Sequence, residues 1–188
     1  MSSADEPYRV LVVCTGNICR SPVGEAVLQS QLSGGVAVSS AGTHAVVGAP
    51  AEPEVQEFLR REVGLEANHT ARQLTRDQAD SARLIITMTS EHRSWVARNA
   101  PRAVRRTFTL KELSLLLESL PSESRFTSLK DLALGASRLR PRLAGELAEL
   151  DIADPYGGPP EAYESSFSEV LDFSRRVADA MRHRLQST

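Results

Sequence analysis

Val10-Leu11-Val12-Val13 is an unbroken apolar run that stops at Cys14, and Pro22 stands shortly beyond it. A strand with apolar side chains at successive positions buries both of its faces, which places it inside a sheet covered on two sides. Proline has no N–H to donate and fits the first turn of a helix, where that group has no partner anyway. The run, the loop Thr15–Ser21 and a helix reaching about Leu32 therefore read as one strand–loop–helix unit, stopped by Gly34-Gly35.

The same alternation continues along the chain. Val36–Ser40 reads as a second strand. After Pro53, Val55, Phe58, Leu59 and Val63 recur at helical spacing, and Gly64 closes that helix. Leu84–Met88 is a third strand, Ser90 caps a short helix carrying Trp95 and Val96, and Val104–Thr109 is a weaker fourth strand. Tyr163, Phe167, Val170, Leu171, Val177, Met181 and Leu185 form the stripe of a long last helix. Strands separated by helices predict an α/β fold, a parallel sheet with helices on both faces. Residues 113–150 break the rhythm: they are leucine-rich, helical around 127–134 and 138–150, interrupted by Pro121 and Pro141, and supply no convincing strand. They read as a helical insertion within a single domain spanning 1–188.

Composition narrows the class. With 188 residues, 41% of them hydrophobic, the chain can build a core, and its net charge of −2 argues against a dedicated nucleic-acid binder. No apolar run reaches the roughly 18 residues of a membrane span. The acidic start Met1-Ser2-Ser3-Ala4-Asp5-Glu6 lacks the basic region of a signal peptide. Two cysteines make no disulfide framework, so a cytoplasmic location is expected. His44, His69, His92 and His183 lack metal-ligand spacing, and no metal is assigned. Arg93, Arg98, Arg102, Arg105 and Arg106 read as a solvated face, and Trp95 as core packing.

The chemistry lies in the loop Cys14-Thr15-Gly16-Asn17-Ile18-Cys19-Arg20-Ser21. In a parallel sheet, ligands bind at the carboxyl ends of strands. A loop entering a helix presents free backbone N–H groups at the positive end of the helix dipole, which makes an anion site. The same field stabilises a cysteine thiolate. Arg20 can fold back and grip a tetrahedral oxyanion with parallel hydrogen bonds, and Ser21 can donate to the thiolate. A thiolate held in an anion cradle beside a guanidinium is a nucleophile aimed at phosphorus. The bare Cys-x5-Arg pattern is weak, and a buried, inert cysteine at a strand end satisfies it too. The strand before it and the Ser-Pro after it add the specificity. A second segment, Asp154-Pro155-Tyr156-Gly157-Gly158, offers an acid on a stiffened loop, although Asp-Pro-x-Gly alone is equally a turn.

Taken together, Val13–Pro22, Ser40-Ala41-Gly42-Thr43, Met88 with His92, and Asp154–Gly158 resemble the low-molecular-weight protein tyrosine phosphatase family. The resemblance runs in order over most of the chain except 113–150. It implies a four-stranded parallel sheet with a phosphate-binding loop after the first strand, and no cofactor. It implies Cys14 as nucleophile, Arg20 and the amides of Thr15, Gly16, Asn17, Ile18, Cys19 and Arg20 as the phosphate cradle, Ser21 as thiolate stabiliser, and Asp154 as general acid and then base. Cys19 is implied as a redox partner of Cys14, with a small buried filler as the alternative.

Thr15 and Tyr156 are expected to wall the pocket. The expected substrate is a phosphorylated protein, with phosphotyrosine first and phosphoarginine, the substrate of a bacterial branch with similar segments, as the alternative. Arsenate reduction ranks lower, because Cys14 and Cys19 leave no further cysteines for an internal relay. A non-catalytic phosphate-binding module would have no need of Cys14, Arg20 and Asp154 together. No nucleic-acid or membrane partner is expected, and the sequence does not fix an oligomeric state.

Overall fold

The protein is described by a computed structural model covering residues 8–32, 35–142, 145 and 149–185. Its sheet is built from β1 (Tyr8–Cys14), β2 (Val36–Gly42), β3 (Leu84–Thr87) and β4 (Thr107–Thr109), in the order β2-β1-β3-β4. All three pairings are parallel, with Cys14 opposite Gly42 and Val13 opposite Thr87. The apolar run therefore sits centrally, and its period of two divides the core. Val10 and Val12 face one hydrophobic cluster, and Leu11 and Val13 the other.

Among the described residues, seven α-helices flank the sheet: α1 (Arg20–Gln31), α2 (Pro53–Val63), α3 (Arg76–Ser81), α4 (Ser90–Asn99), α5 (Leu110–Glu118), α6 (Leu129–Leu139) and α7 (Pro160–Arg184). The larger cluster takes side chains from α1, α2, α5, α6 and α7, among them Val27, Phe58, Leu113, Leu132 and Phe167. The smaller one takes Ala79 of α3 and Val96 of α4, with Trp95 half-buried against it. The parallel sheet covered on both faces is thus as the sequence predicts. Among the described residues, no helix is long and apolar enough to cross a membrane.

Several boundaries differ from the sequence expectation. β4 begins at Thr107, because Pro101–Arg106 form a 3₁₀ helix instead of extending the strand. That turn is held by the Thr107 hydroxyl donating to the Ala103 carbonyl at 2.8 Å and by the Arg106 guanidinium donating to Arg102, Ala79 and Asp80 carbonyls. Helix α1 starts at Arg20, two residues ahead of the proline that marked it, and Pro22 sits inside the first turn. Thr89, not Ser90, caps α4, accepting from the His92 amide. Asp151 takes the Ser90 amide at 2.7 Å and its hydroxyl at 3.1 Å.

Within the leucine-rich stretch, α5 and α6 bury Leu113, Leu116, Leu117, Leu129, Leu132, Ala133 and Ala136 in the larger cluster. Helix α6 runs on to Leu139. The helix expected over 138–150 lies partly outside the described residues, and Arg140 and Arg142 sit in the turn that ends α6. Helix α3 was not anticipated, although its capping box, Thr75 with Gln78, is a readable signal.

Glu112 is 1% exposed. It completes a capping box with Thr109 at the start of α5 and pairs with Arg93 of α4 at 3.1 Å and Arg140 at 2.8 Å. The Arg140 guanidinium also lies 4.2 Å from the centre of the Phe108 ring. Arg93 and Arg106 are therefore structural, whereas Arg98, Arg102 and Arg105 face solvent, as expected of a solvated face.

Candidate active site

The loop after β1 is fixed from outside by its own carbonyls. Thr43 N–H donates to Cys14 O, His44 N–H to Thr15 O, Val46 N–H to Gly16 O, and Glu52 N–H to Ile18 O, at 2.9–3.0 Å. His69 Nε2 donates to Asn17 O at 2.7 Å. A trans peptide sets C=O of one residue opposite N–H of the next. Carbonyls of 14–18 turned toward the outer wall therefore turn the amides of 15–19 toward the concave side. This is the donor array a tetrahedral anion requires. Close contact with the wall needs Gly42, since a Cβ there would lie 2.3 Å from Thr15 O.

Asn17 makes the turn possible. It is fully buried and adopts a left-handed φ of 57°. All its side-chain hydrogen-bonding groups are used. Nδ2 donates to Ser21 Oγ and Ser40 Oγ, both at 2.8 Å, and Oδ1 accepts from the Arg72 amide at 2.9 Å. Because Ser21 Oγ accepts from Asn17, its own proton is free to go to Cys14 Sγ, 2.9 Å away. The Asn17 amide reaches the same sulfur at 3.3 Å. Two donors thus converge on a sulfur that is 2% exposed.

Glu25, one helical turn beyond Ser21, closes the network by accepting from Ser40 Oγ at 2.5 Å and lying 3.6 Å from His69 Nδ1. Burial pushes the Glu25 carboxyl up, but its hydrogen bonds with His69 and Ser40 outweigh this and hold it below the usual carboxylate range.

Arg20 faces Cys14 from the first position of α1 and is 2% exposed. Its Nη1 donates to Ile152 O at 2.8 Å and its Nη2 pairs with Asp154 Oδ2 at 2.5 Å. Its Nε is buried with no partner among the described residues, and an oxyanion over the loop would supply one. The segment carrying Asp154 is anchored on three sides. Ile152 N–H donates to Met88 O at 2.9 Å, the Ser166 hydroxyl to Ala153 O at 3.0 Å, and Gly157 N–H to Tyr163 Oη at 3.1 Å. So Asp154, from the far end of the chain, reaches the loop through Arg20.

Cys14, Arg20 and Asp154 line a cavity of about 200 Å³ that also includes Thr15, Gly16, Ile18, Cys19, His44, Val46 and Tyr156. Val46 and Tyr156 are 49% and 64% exposed at its mouth. Cys19 caps α1 within the same lining. Burial, followed by the nearby Cys14, pushes its thiol up to about 12, which keeps it protonated beside the candidate nucleophile.

The structure thus brings together every residue the sequence reading placed in the site. It adds His69, His92, Ser40, Glu25 and Arg72, which brace the loop. Glu25 was readable, since it falls on the same α1 face as Ser21. Ser40 belongs to the Ser-Ala-Gly-Thr segment. His69 sits in an irregular stretch that gives no local signal.

His92 is 4% exposed beneath the loop. Burial, and next the Arg20 charge, push its imidazole down to about 4 against the opposing pull of Asp154 and Asp151. An unfolded chain binds that proton near pH 6.5. Between those values the unfolded state binds more protons, so stability falls as pH drops. Denaturant midpoints at pH 7 and pH 5 should fall more in the wild type than in His92→Gln. An equal fall would remove this histidine as the cause.

Residues 9–115 match the family described as low molecular weight phosphotyrosine protein phosphatase. A protein-arginine-phosphatase of Geobacillus stearothermophilus is 35% identical over 94% of this chain and 97% of its own length. The solved structure of YwlE arginine phosphatase from the same organism superposes with a TM-score of 0.69 at 32% identity, covering 94% of both chains. The low molecular weight protein-tyrosine-phosphatase Etp of Escherichia coli K12 is 46% identical over 49% of this chain and 62% of its own. A parallel α/β sheet carrying this cysteine loop, with these relatives, defines a cysteine-dependent phosphatase. The chain belongs to the low molecular weight phosphotyrosine protein phosphatase family.

Proposed function

We propose that this phosphatase hydrolyses phosphotyrosine in proteins through a cysteinyl-phosphate. The observation that carries this reading is the wall of the cavity. Ile18, Val46 and Tyr156 present apolar surface around the nucleophile, and among the described residues Asp154 is the only carboxylate in the lining. An aryl ring gains from such a wall, while a guanidinium group would need more than one acceptor there.

In this mechanism the Cys14 thiolate attacks phosphorus and the bond to the phenolic oxygen breaks. The inward amides and Arg20 hold the three equatorial oxygens, where charge accumulates in the transition state. When a phosphoryl group takes the guanidinium, Asp154 is released from its 2.5 Å ion pair with Arg20. Once free it takes up a proton, from solvent or from the monoanionic phosphate ester, gives that proton to the leaving phenolate, and as the carboxylate takes one from the water that attacks the cysteinyl-phosphate. That second step returns inorganic phosphate and the thiolate. Asp154→Asn should lower kcat on a phosphotyrosine peptide by about 10²–10⁴-fold. An unchanged kcat would take the proton transfer away from this residue.

The phosphoarginine reading is favoured by one observation. A relative 35% identical over 94% of the chain is a protein-arginine-phosphatase, and Asp154 in the lining is a carboxylate that a guanidinium would pair with. Matched peptides carrying phosphotyrosine or phosphoarginine separate the two. Phosphotyrosine should show a kcat/KM at least about tenfold higher, the scale of ~1.4 kcal/mol of differential transition-state binding. A ratio in the other direction establishes the arginine activity instead.

A further inference from the structure

We propose that His92 is a positioning residue for phosphoryl transfer, holding the Thr15 hydroxyl so that its proton faces the cavity. The inference rests on the reading of Cys14 and Arg20 as nucleophile and oxyanion clamp, and concerns a side chain that touches neither phosphorus nor sulfur.

His92 stands in the first turn of α4 and spans two hydroxyl groups. Its Nδ1 lies 2.9 Å from Thr89 Oγ1 and its Nε2 lies 2.9 Å from Thr15 Oγ1. The neutral ring has two tautomers, and the hydroxyl on its Nδ1 side favours one of them. Thr89 Oγ1 already accepts from the His92 amide at 3.3 Å, as the cap of α4. Its own proton has Nδ1 within reach, and we take Nδ1 as its acceptor. With Nδ1 accepting, the neutral ring carries its proton on Nε2 and donates it to Thr15 Oγ1. Arg20 Nη2 donates to that same oxygen at 3.5 Å.

Two donors thus occupy the lone pairs of Thr15 Oγ1. Among the described residues the side-chain hydrogen bonds of Thr15 Oγ1 run to His92 and Arg20, and the remaining valence of the hydroxyl, its proton, is directed into the cavity that Thr15 lines. A free threonine hydroxyl rotates and can offer either a lone pair or a proton. A lone pair facing a phosphoryl oxygen would repel it. A proton fixed toward it adds one preorganised donor beside the backbone amides, at the residue directly after the nucleophile. The opposite tautomer would leave the Thr89 proton without this partner and turn Thr15 into a donor toward the ring, away from substrate. The buried, neutral state of His92 suits the role, since a protonated ring would set a second cation against Arg20.

The test uses p-nitrophenyl phosphate and four chains: wild type, His92→Phe, Thr15→Val and the double variant, with His92→Gln as the rescue. Phenylalanine fills the ring's place without a donor, valine replaces threonine at equal volume, and glutamine restores a side-chain N–H. We expect His92→Phe and Thr15→Val each to lower kcat by about 10-fold to 100-fold with KM nearly unchanged. The double variant should be no slower than the worse single one, because both remove the same donor. His92→Gln should recover most of the lost kcat. Wild-type kcat in His92→Phe overturns the proposal, and so do losses that multiply in the double variant. Should His92→Phe fail to fold, Thr15→Val and His92→Gln still decide: a wild-type kcat in Thr15→Val overturns it equally. The underlying site assignment is read separately, by a stoichiometric p-nitrophenol burst in the wild type that disappears in Cys14→Ser.

Discussion

Cys14→Ser is expected to abolish turnover, with a loss on the order of 10⁴–10⁶-fold, while inorganic phosphate still binds. The two halves of this result have separate causes. A serine hydroxyl in place of the thiol keeps Ser21 and the Asn17 amide as neighbours, but an alcohol is a far weaker nucleophile than a thiol at neutral pH. Attack on phosphorus therefore stops. The cradle itself is made by backbone amides and Arg20, and the carbonyl anchors from Thr43, His44, Val46, Glu52 and His69 that orient it do not pass through the sulfur. Stopped-flow release of p-nitrophenol and calorimetric titration with phosphate measure the two halves on one sample. Turnover above about a thousandth of wild type would show that the cysteine is not the nucleophile.

The largest effect on stability is expected far from the loop, at Glu112. Its carboxylate is buried and shared by Arg93, Arg140 and the Thr109 amide. Glu112→Ala leaves Arg140, which is stacked on Phe108, without its counter-charge and removes the acceptor of the Thr109 amide, one half of the capping box of α5. Removing one member of such a buried group costs about 3–5 kcal/mol. For a chain of this size that corresponds to a drop in Tm of about 10 °C or more. Chemical denaturation of the variant beside the wild type gives the difference directly, and a loss under about 1 kcal/mol would mean that the ion pairs and the cap are worth no more than surface contacts. A double substitution to apolar residues of matching shape at 112 and 140 should recover part of the loss, because no charge is then left buried alone.

What the sequence makes legible follows the range over which each feature is determined. The central strand, the loop and the first helix are local, so Val10–Val13, Cys14–Ser21 and Pro22 carry their own signals and the structure assembles them as read. The long helix with Tyr163, Phe167 and Val170 is legible for the same reason, its period being intrinsic. Other boundaries were set from a distance. The fourth strand was shortened by Arg106 reaching carbonyls of residues 79 and 80, a partner no window around 104–109 contains. The cap of α4 moved to Thr89 because Asp151 occupies Ser90. In the site, Asp154 could be named from its motif, but not the route by which Arg20 and Ile152 bring it to the loop. His69 was legible only as a histidine without metal spacing, and His92 only as part of the Met88 segment that carries the family resemblance. Their roles come from geometry, each offering one ring nitrogen to the loop.

The outward fastening of the loop carbonyls has a thermodynamic side. The amides of residues 15–19 are arranged by the fold, so a tetrahedral anion orders nothing when it arrives, and the unfolded chain offers it no equivalent site. Affinity for the anion and resistance to unfolding are then the same free energy seen from two directions. Inorganic phosphate, the product, is on this account also a stabiliser of the enzyme that releases it. The rigidity that speeds the reaction sets how long the product stays.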